Sequence, residues 1–274
     1  MRAADVRVSR KWLGLREPAD AAARAADLAD RLARRTPAAG RWVIHDLGGG
    51  TGSMGRWLAP RLRGRQHWVV HDRDPHLLKV AAARGAGPAA DGAAVTIEPR
   101  QSDITRLAAG DLADANLITA SALLDMLTGS ELAGLVAVCA GAGCPVLLTL
   151  SVVGRVSLTP SDPLDRRVVA AFNDHQRRTT ERGRLLGPDA VEFALKEFGR
   201  LGREVLGRES PWRLGASEAE LAVEWFSGWI GAAGEQCPEL AAETEGYARR
   251  RLEEARAGRL TVTVEHADLL VLPR

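Results

Sequence analysis

Val43-Ile-His-Asp-Leu-Gly-Gly-Gly-Thr-Gly-Ser-Met-Gly55 decides the fold. The stretch enters on an apolar run, Trp42-Val43-Ile44, that reads as a buried strand, and passes Asp46 into the glycine-rich turn Gly48-Gly49-Gly50-Thr51-Gly52. Ser53 is a predicted cap for a helix running to about Leu62, with Met54, Trp57 and Leu58 on its apolar side. Strand, glycine turn and helix are the first half of a βαβ unit. Glycines belong in such a turn for two reasons: it uses φ values that a Cβ opposes, and a ligand has to approach the bare backbone. The N–H groups that open the following helix favour a negative group in the turn.

The glycines alone leave the ligand open. A dinucleotide fingerprint, G-x-G-x-x-G, fails when counted from Gly48 and Gly50, because Ser53 stands where the third glycine belongs. It fits when counted from Gly50, Gly52 and Gly55. A P-loop is excluded, since no Gly-Lys-Ser/Thr follows. Taken with its acid, Asp46-Leu-Gly-Gly-Gly-Thr-Gly52 resembles motif I, D/E-x-G-x-G-x-G, of the class I S-adenosylmethionine-dependent methyltransferases, and matches it at Asp46, Gly48, Gly50 and Gly52. Gly49 lies within the same turn and is counted with the cofactor-binding residues.

Three further segments extend the resemblance. His67-Trp68-Val69-Val70-His71 reads as a second strand, and Asp72-Arg-Asp-Pro-His-Leu-Leu78 resembles the family's D-x-S-P-x-x-L segment after it. The resemblance makes Asp72 the ribose-binding acid, with Arg73 beside it; a carboxylate can accept both hydrogen bonds of a diol. Asp74 is a predicted N-cap for a helix beginning at Pro75. After a short strand, Ala94–Ile97, the segment Gln101-Ser102-Asp103-Ile104 places an acid where the family receives the adenine amino group. Ile104 then supplies an apolar wall or a backbone N–H. Finally, Ala115-Asn-Leu-Ile-Thr-Ala-Ser-Ala-Leu-Leu-Asp-Met-Leu127 resembles the family's segment after strand four, with Leu117–Ala120 as strand. Ser121 falls on the cofactor side, Leu124 by the acceptor, and Asp125 is a candidate base or orienting group.

The resemblance implies an α/β fold: a seven-stranded, mostly parallel Rossmann-like sheet with helices on both faces. It also implies S-adenosyl-L-methionine as cofactor and S-adenosyl-L-homocysteine as product. Residues 1–274 are expected to form a single methyltransferase domain, with an N-terminal helical lid (1–40), a cofactor-binding core (41–153) and helical insertions covering the acceptor side (154–187 and 216–258). Residues 10–39 read as helix, with Pro18 near its first turn; Trp12 and Arg16 are candidate lid residues beside a surface or packing role. Ser130 to about Ala140 reads as helix, and Cys144–Val152 as a covered central strand. Residues 154–187 are expected to interrupt the sheet, with a helix from Ser161-Asp162-Pro163 to about Arg178 and a loop from Thr180 to Gly187. Helices follow over 188–201 and, in two pieces divided within 231–238, over 218–256. Glu204–Trp212 is a sixth strand, and 260–264 with 269–272 supply the last strand or strands, the final one antiparallel.

The segments Phe172-Asn-Asp-His-Gln-Arg177 and Pro211-Trp-Arg-Leu-Gly215 also resemble bacterial methyltransferases of unassigned substrate. His175 is the predicted general base, because its type suits neutral pH and it sits in the covering helix. Asn173, Arg177 and Arg213 are candidate acceptor-binding residues, arginine being suited to carboxylate or phosphate. His45 and His71 read as sheet residues, His71 near the cofactor side.

Composition agrees with an ordinary globular chain: 46% hydrophobic, 26% charged and a net charge of +2. No apolar run approaches the ~20 residues of a membrane span, and the N-terminus carries no apolar signal region. Cys139, Cys144 and Cys237 lack C-x-x-C spacing, which argues against disulfides or a metal site and fits a cytoplasmic location. No basic tract with interleaved aromatics stands out, which argues against nucleic acid. The expected partner is a small-molecule O or N acceptor; a homodimer is compatible with this reading. Three rivals stand beside it: an RNA methyltransferase, a nicotinamide-dependent oxidoreductase (for which a Tyr-x-x-x-Lys pair is missing, Tyr247 being the one tyrosine), and a non-catalytic S-adenosylmethionine-binding protein.

Overall fold

Alternation in the strands builds the sheet. In β1 (Arg41–Leu47), β2 (Arg65–Asp72), β4 (Leu117–Ser121) and β5 (Val146–Thr159), successive side chains pass to opposite faces. Ile44, Trp68, Val70, Leu117 and Leu147 pack against one helical layer; Leu47, Ile118, Ala120, Val146 and Leu148 pack against the other. Covered on both sides, these strands are apolar on both sides. The structure, a computed structural model, describes residues 8–35 and 40–273.

β3 (Val95–Gln101) lies at one edge, and the order across the sheet is β3-β2-β1-β4-β5-β10-β8, where β8 is Glu204–Glu209 and β10 is Thr261–Leu272. The first five strands are parallel, and β10 runs antiparallel to both of its neighbours. β9 (Trp212–Leu214) adds an eighth strand beside β10. This order, mostly parallel with one reversed strand next to last, is the Rossmann-like sheet expected from the sequence, with one strand more than the seven expected. The chain reverses direction across the sheet between β1 and β4, and the crevice outside their C-terminal ends is where such sheets bind ligands.

One face carries α2 (Ala26–Ala33), α3 (Ser53–Leu58) and α4 (Pro75–Arg84), through Leu28, Leu32, Met54, Trp57, Leu58 and Leu78. The other carries α5 (Gly129–Gly141) and α7 (Ala190–Arg200). A reciprocal cap starts α5: the Glu131 amide donates to Thr128 Oγ1 and the Thr128 amide donates to Glu131 Oε2. A third apolar cluster joins α6 (Asp165–Gln176), α8 (Ala219–Gln236) and α9 (Pro238–Arg256) to β9 and the outer halves of β5 and β10. Within it, Tyr247 Oη donates to Asp165 Oδ1 at 2.7 Å and Arg251 Nη2 donates to both Asp165 oxygens at 3.0 and 3.2 Å.

Several expected boundaries move. α1 spans Arg10–Ala23, capped by Ser9, so Pro18 sits inside the helix rather than in its first turn. The chain breaks at Arg24-Ala25 before α2, and residues 36–39 of the expected helix lie outside the described residues. α3 ends at Leu58 in a short 3-10 turn, and Gly52, not Ser53, is its N-cap. β5 does not stop near 152: it runs on to Thr159 and pairs with β10 through Thr261, so residues 154–159 extend the sheet rather than interrupt it. Gly154 is a left-handed step within the strand, where Asn173 Nδ2 donates to its carbonyl. The expected loop at 180–187 contains a hairpin of β6 (Thr179–Thr180) and β7 (Gly183–Arg184). The two C-terminal strand pieces are one strand, β10, with register shifts at Val264/His266 and Ala267/Leu269. Among the described residues, no helix is long and apolar enough to cross a membrane.

Candidate cofactor and acceptor site

The glycine turn sits at the C-terminal end of β1, and its glycines carry different constraints. Gly48, at φ 65°, is left-handed, and a Cβ there would come 3.0 Å from Leu123 Cδ1. Gly49 has an ordinary φ but no room. Its Cβ would lie 2.6 Å from Asp46 Oδ2 and 2.7 Å from Val70 Cγ1. The turn is fastened by Gly49 N–H to His71 O (3.0 Å), Gly52 N–H to Gly49 O (2.8 Å) and Gly50 N–H to Asp72 Oδ2 (2.9 Å).

Asp46 lies beneath this turn and is buried. Its Oδ1 accepts from Thr119 Oγ1 at 2.7 Å, and its Oδ2 has no hydrogen-bond partner. Burial pushes its pKa up to about 7, against the Thr119 hydrogen bond and the charge of Arg24. Asp72, at the end of β2, is half-buried; its Oδ1 accepts from the Asp74 amide at 2.9 Å. Asp74 caps α4 as expected, accepting from the His76 amide at 2.8 Å. Arg73 is exposed and turns to Asp103, with Nη2 donating to Oδ1 at 2.7 Å. Asp103 also accepts from the Thr105 amide and hydroxyl. Its partial burial opposes ionisation, but the Arg73 and Thr105 bonds prevail and hold its pKa down at about 2. Ile104 packs into the core beside Leu47 and Ile118.

A buried relay runs behind these acids. His45 Nε2 meets Asp114 Oδ1 at 3.0 Å, His45 Nδ1 meets His71 Nε2 at 3.0 Å, and His71 Nδ1 meets Ser102 Oγ at 2.9 Å. With both rings neutral and Asp114 accepting from His45, every hydrogen in the chain points toward Asp114, and Ser102 donates to His71. Burial lowers the pKa of both rings, that of His71 to about 4.

Two non-glycine residues here are left-handed: Ala122, directly after β4, at φ 51°, and Leu150, within β5, at φ 56°. Strain of this kind recurs at ligand sites. The Ala122 amide donates to Thr149 O, and Leu150 N–H donates to Asp268 Oδ1 at 2.7 Å. Asp268 also accepts from Ser210 Oγ and the Ala25 amide, tying the α1–α2 break to the strand ends. Ser121 Oγ accepts from Thr149 Oγ1 at 3.0 Å and from Arg24 Nη2 at 3.1 Å.

α1 covers this side. Leu13 and Glu17 lie on one stripe: Leu13 faces Gly50, and Glu17 receives Arg56 from α3 and Arg84 from α4. Arg16, Asp20 and Arg24 form a second stripe, at i, i+4 and i+8. Arg16 donates to both Asp20 oxygens at 3.0–3.2 Å and lies 5.0 Å from the Trp212 ring centroid and 5.9 Å from that of Trp12. Trp212 Nε1 donates to Asp20 at 3.0 Å, and Trp212 contacts His266 at 5.4 Å between centroids. Asp20, Arg24, His266 and Asp268 were not singled out in the sequence. The three-residue charged stripe of α1 was the available signal for the first two.

The candidate acceptor residues separate. Asp125 is half-buried, and burial raises its pKa against the charges of Arg16 and Arg178. His175 Nε2 meets the exposed Glu235 at 3.2 Å, and Arg178 Nη1 donates to the His175 carbonyl. Burial lowers the His175 pKa, so the ring is neutral at pH 7. Asn173 is spent on Gly154, and Arg177 forms a two-point pair with Asp189 at 2.7 and 2.8 Å. Leu124 is a core residue packed with α5 and α7. Arg213 is exposed, between Trp212 and Leu214, which are buried. The fold thus brings the glycine turn, Asp72, Arg73 and Asp103 together beyond the C-terminal ends of β1 and β2, whereas Asn173 and Arg177 have structural partners, Leu124 and Ile104 are core residues and Arg213 is exposed. Among the described residues, no group of three or more His, Cys, Asp or Glu side chains is placed to hold a metal ion.

No family model and no curated protein matches this chain. Among solved structures, it is similar to a cyclopropane synthase of Mycobacterium tuberculosis, at 13% identity over 89% of this chain and 82% of that one, with a TM-score of 0.47. It is also similar to an S-adenosylmethionine-dependent methyltransferase of Geobacter sulfurreducens in complex with S-adenosyl-L-homocysteine, at 15% identity over 97% of this chain and 99% of that one, with a TM-score of 0.45.

Proposed function

We propose that the chain is an S-adenosylmethionine-dependent methyltransferase that acts on a small-molecule O or N acceptor. The observation that carries this reading is the Gly50–Asp72 contact at the switch point, where the glycine turn holds a carboxylate at the end of β2. Bound there, the cofactor supplies a methyl group already activated by its sulfonium. Asp72 is the residue for the ribose diol. Asp103, positioned by Arg73, and Ile104 border the adenine, and Ser121 borders the amino-acid end. The left-handed step at Ala122 turns the chain out of β4 toward the acceptor, and α1 excludes water from above. An in-line transfer asks little more of the protein than alignment and dryness. A base is needed only for a hydroxyl or a protonated amine, and Asp125 and His175 are the candidates.

A small acceptor is favoured over nucleic acid because no basic tract with interleaved aromatics stands out in the sequence, and Arg100, Arg167, Arg177, Arg182 and Arg208 each pair with a carboxylate. The oxidoreductase reading loses ground for a similar reason, since Tyr247 and Arg251 are buried in the pair with Asp165.

Isothermal titration with S-adenosylhomocysteine, NAD and NADP tests the reading. Binding of the first alone, at about −8 kcal/mol for a ~1 μM ligand, supports it and justifies an acceptor screen. Binding of a dinucleotide instead overturns it.

A further inference from the structure

Arg24 ends α1 with a buried guanidinium that the protein does not satisfy. The residue is 3% exposed, and its Nε and Nη1 have no hydrogen-bond partner. Its Nη2 reaches Ser121 Oγ at 3.1 Å and Ser53 Oγ at 3.5 Å, and its plane lies 5.5 Å from the Trp57 ring centroid. Ser53 follows the glycine turn and Ser121 closes β4, so the guanidinium bridges the two walls of the switch-point crevice.

The acids around it are engaged elsewhere. Asp20 is taken by Arg16 and Trp212, and Asp268 by Ala25, Leu150 and Ser210. Asp46 accepts from Thr119 and points its other oxygen at Gly49. A buried charge with unmet donors costs several kcal/mol unless an anion meets it. Ser121 adds to the demand. Its oxygen already accepts from Thr149 and Arg24, so its own hydroxyl hydrogen still needs an acceptor.

We propose that Arg24 holds the carboxylate at the amino-acid end of the nucleoside ligand, with the Ser121 hydroxyl as second donor. The proposal rests on the cofactor reading above and adds to it a specificity determinant: the crevice selects a nucleoside that carries a carboxylate.

The test is a comparison of two ligands on two proteins. S-adenosylhomocysteine and its decarboxylated analogue, which differ by the carboxylate alone, are titrated into the wild type and Arg24→Met, with melting temperatures recorded for both. The wild type is expected to prefer S-adenosylhomocysteine by roughly 10- to 100-fold, the range for a hydrogen-bonded charge. Arg24→Met is expected to lose that preference while binding the analogue as the wild type does, which also shows that the variant is folded. Arg24→Lys should keep part of the preference. Equal affinity of the wild type for both ligands overturns the proposal, as does equal weakening of both in Arg24→Met. If the wild type binds neither nucleoside, the cofactor reading itself falls, and the role of Arg24 with it.

Discussion

The amide of Gly50 donates to Oδ2 of Asp72 at 2.9 Å, so the turn after β1 and the acid that ends β2 form one unit. A second amide, that of Asp74, fixes the other oxygen. Each oxygen keeps lone pairs for a diol, and neither has to rotate to offer them. Asp72→Ala is therefore expected to weaken S-adenosylhomocysteine roughly 10- to 100-fold, the range for bonds to a charged acceptor. Part of the loss would come from a loosened turn. Titrating the 2′,3′-dideoxy analogue separates the two, because a ligand without the diol loses only what the turn contributes. Unchanged affinity for the parent ligand removes Asp72 from the site.

Gly49 is the second prediction. Its Cβ position overlaps Asp46 Oδ2 and Val70 Cγ1, so Gly49→Ala must push the turn off the strand or displace a buried acid. We expect a cost of about 1–3 kcal/mol, typical of overpacking, and weaker ligand binding. Gly134→Ala is the control. It lies exposed in α5 with nothing within 4 Å of its Cβ position, and should gain about 0.5–1 kcal/mol from helix propensity. Urea denaturation of the two variants checks both signs, and a Gly49→Ala as stable as wild type would refute the packing argument.

The third prediction concerns pH. The folded pKa of Asp46 is about 7 against an ordinary 3.8, so between those values the folded state keeps a proton that the unfolded chain has lost. This contribution makes stability fall as pH rises from about 4 to 7, by up to about 1.4 kcal/mol per pH unit. His71 acts oppositely. Its folded value is about 4 against 6.5, so the unfolded chain holds the extra proton, and stability rises with pH across that window. The two partly cancel in the wild type. Asp46→Asn should therefore gain stability relative to wild type as pH is raised from 4 to 7, and His71→Gln should lose it from 4 to 6.5. Denaturation midpoints at four pH values would show this, and pH-independent differences would contradict both assignments.

The cofactor side was legible because its chemistry is local. Asp46, the glycines, Asp72 and Asp103 each lie at or just past the end of a strand, and short apolar runs with glycine and proline punctuation locate strand ends well. Asp74 capping α4 was readable for the same reason. The acceptor side depends on partners 30 to 250 residues apart, such as Asp268 with Ala25 or Trp212 with Asp20, and no local pattern announces them. The stripe Arg16–Asp20–Arg24 was visible as spacing, but on a surface helix such spacing ordinarily means solvated ion pairs. Only the packing of α1 over β9 and the strand ends makes it internal. The apolar run that marks β5 ends near Val152, so its continuation to Thr159 was not legible; pairing with β10 and the bond from Asn173 to Gly154 carry the strand past that point.

The last prediction divides the two candidate bases. Asp125 follows β4, and Arg16 and Arg178 act on its charge, so it stands where α1 and the end of α6 meet the strand ends. Its burial raises its pKa toward the range useful to a base. Burial lowers the pKa of His175, but its Nε2 is paired with Glu235, an exposed residue of α8. For a hydroxyl acceptor found by screening, Asp125→Asn is expected to lower kcat by about 10²–10⁴-fold, the usual worth of a general base, with the affinity for S-adenosylhomocysteine retained. The wild-type rate should climb with pH through the raised Asp125 pKa, because only the ionised carboxylate accepts a proton, and that limb should vanish in Asp125→Asn. His175→Ala should leave kcat within about threefold and keep the limb. The reverse pattern, with the rate and the limb lost in His175→Ala, would move the base to α6. Retention of full rate by both variants would mean that the acceptor needs no base, as for an unprotonated amine, and that alignment alone carries the transfer.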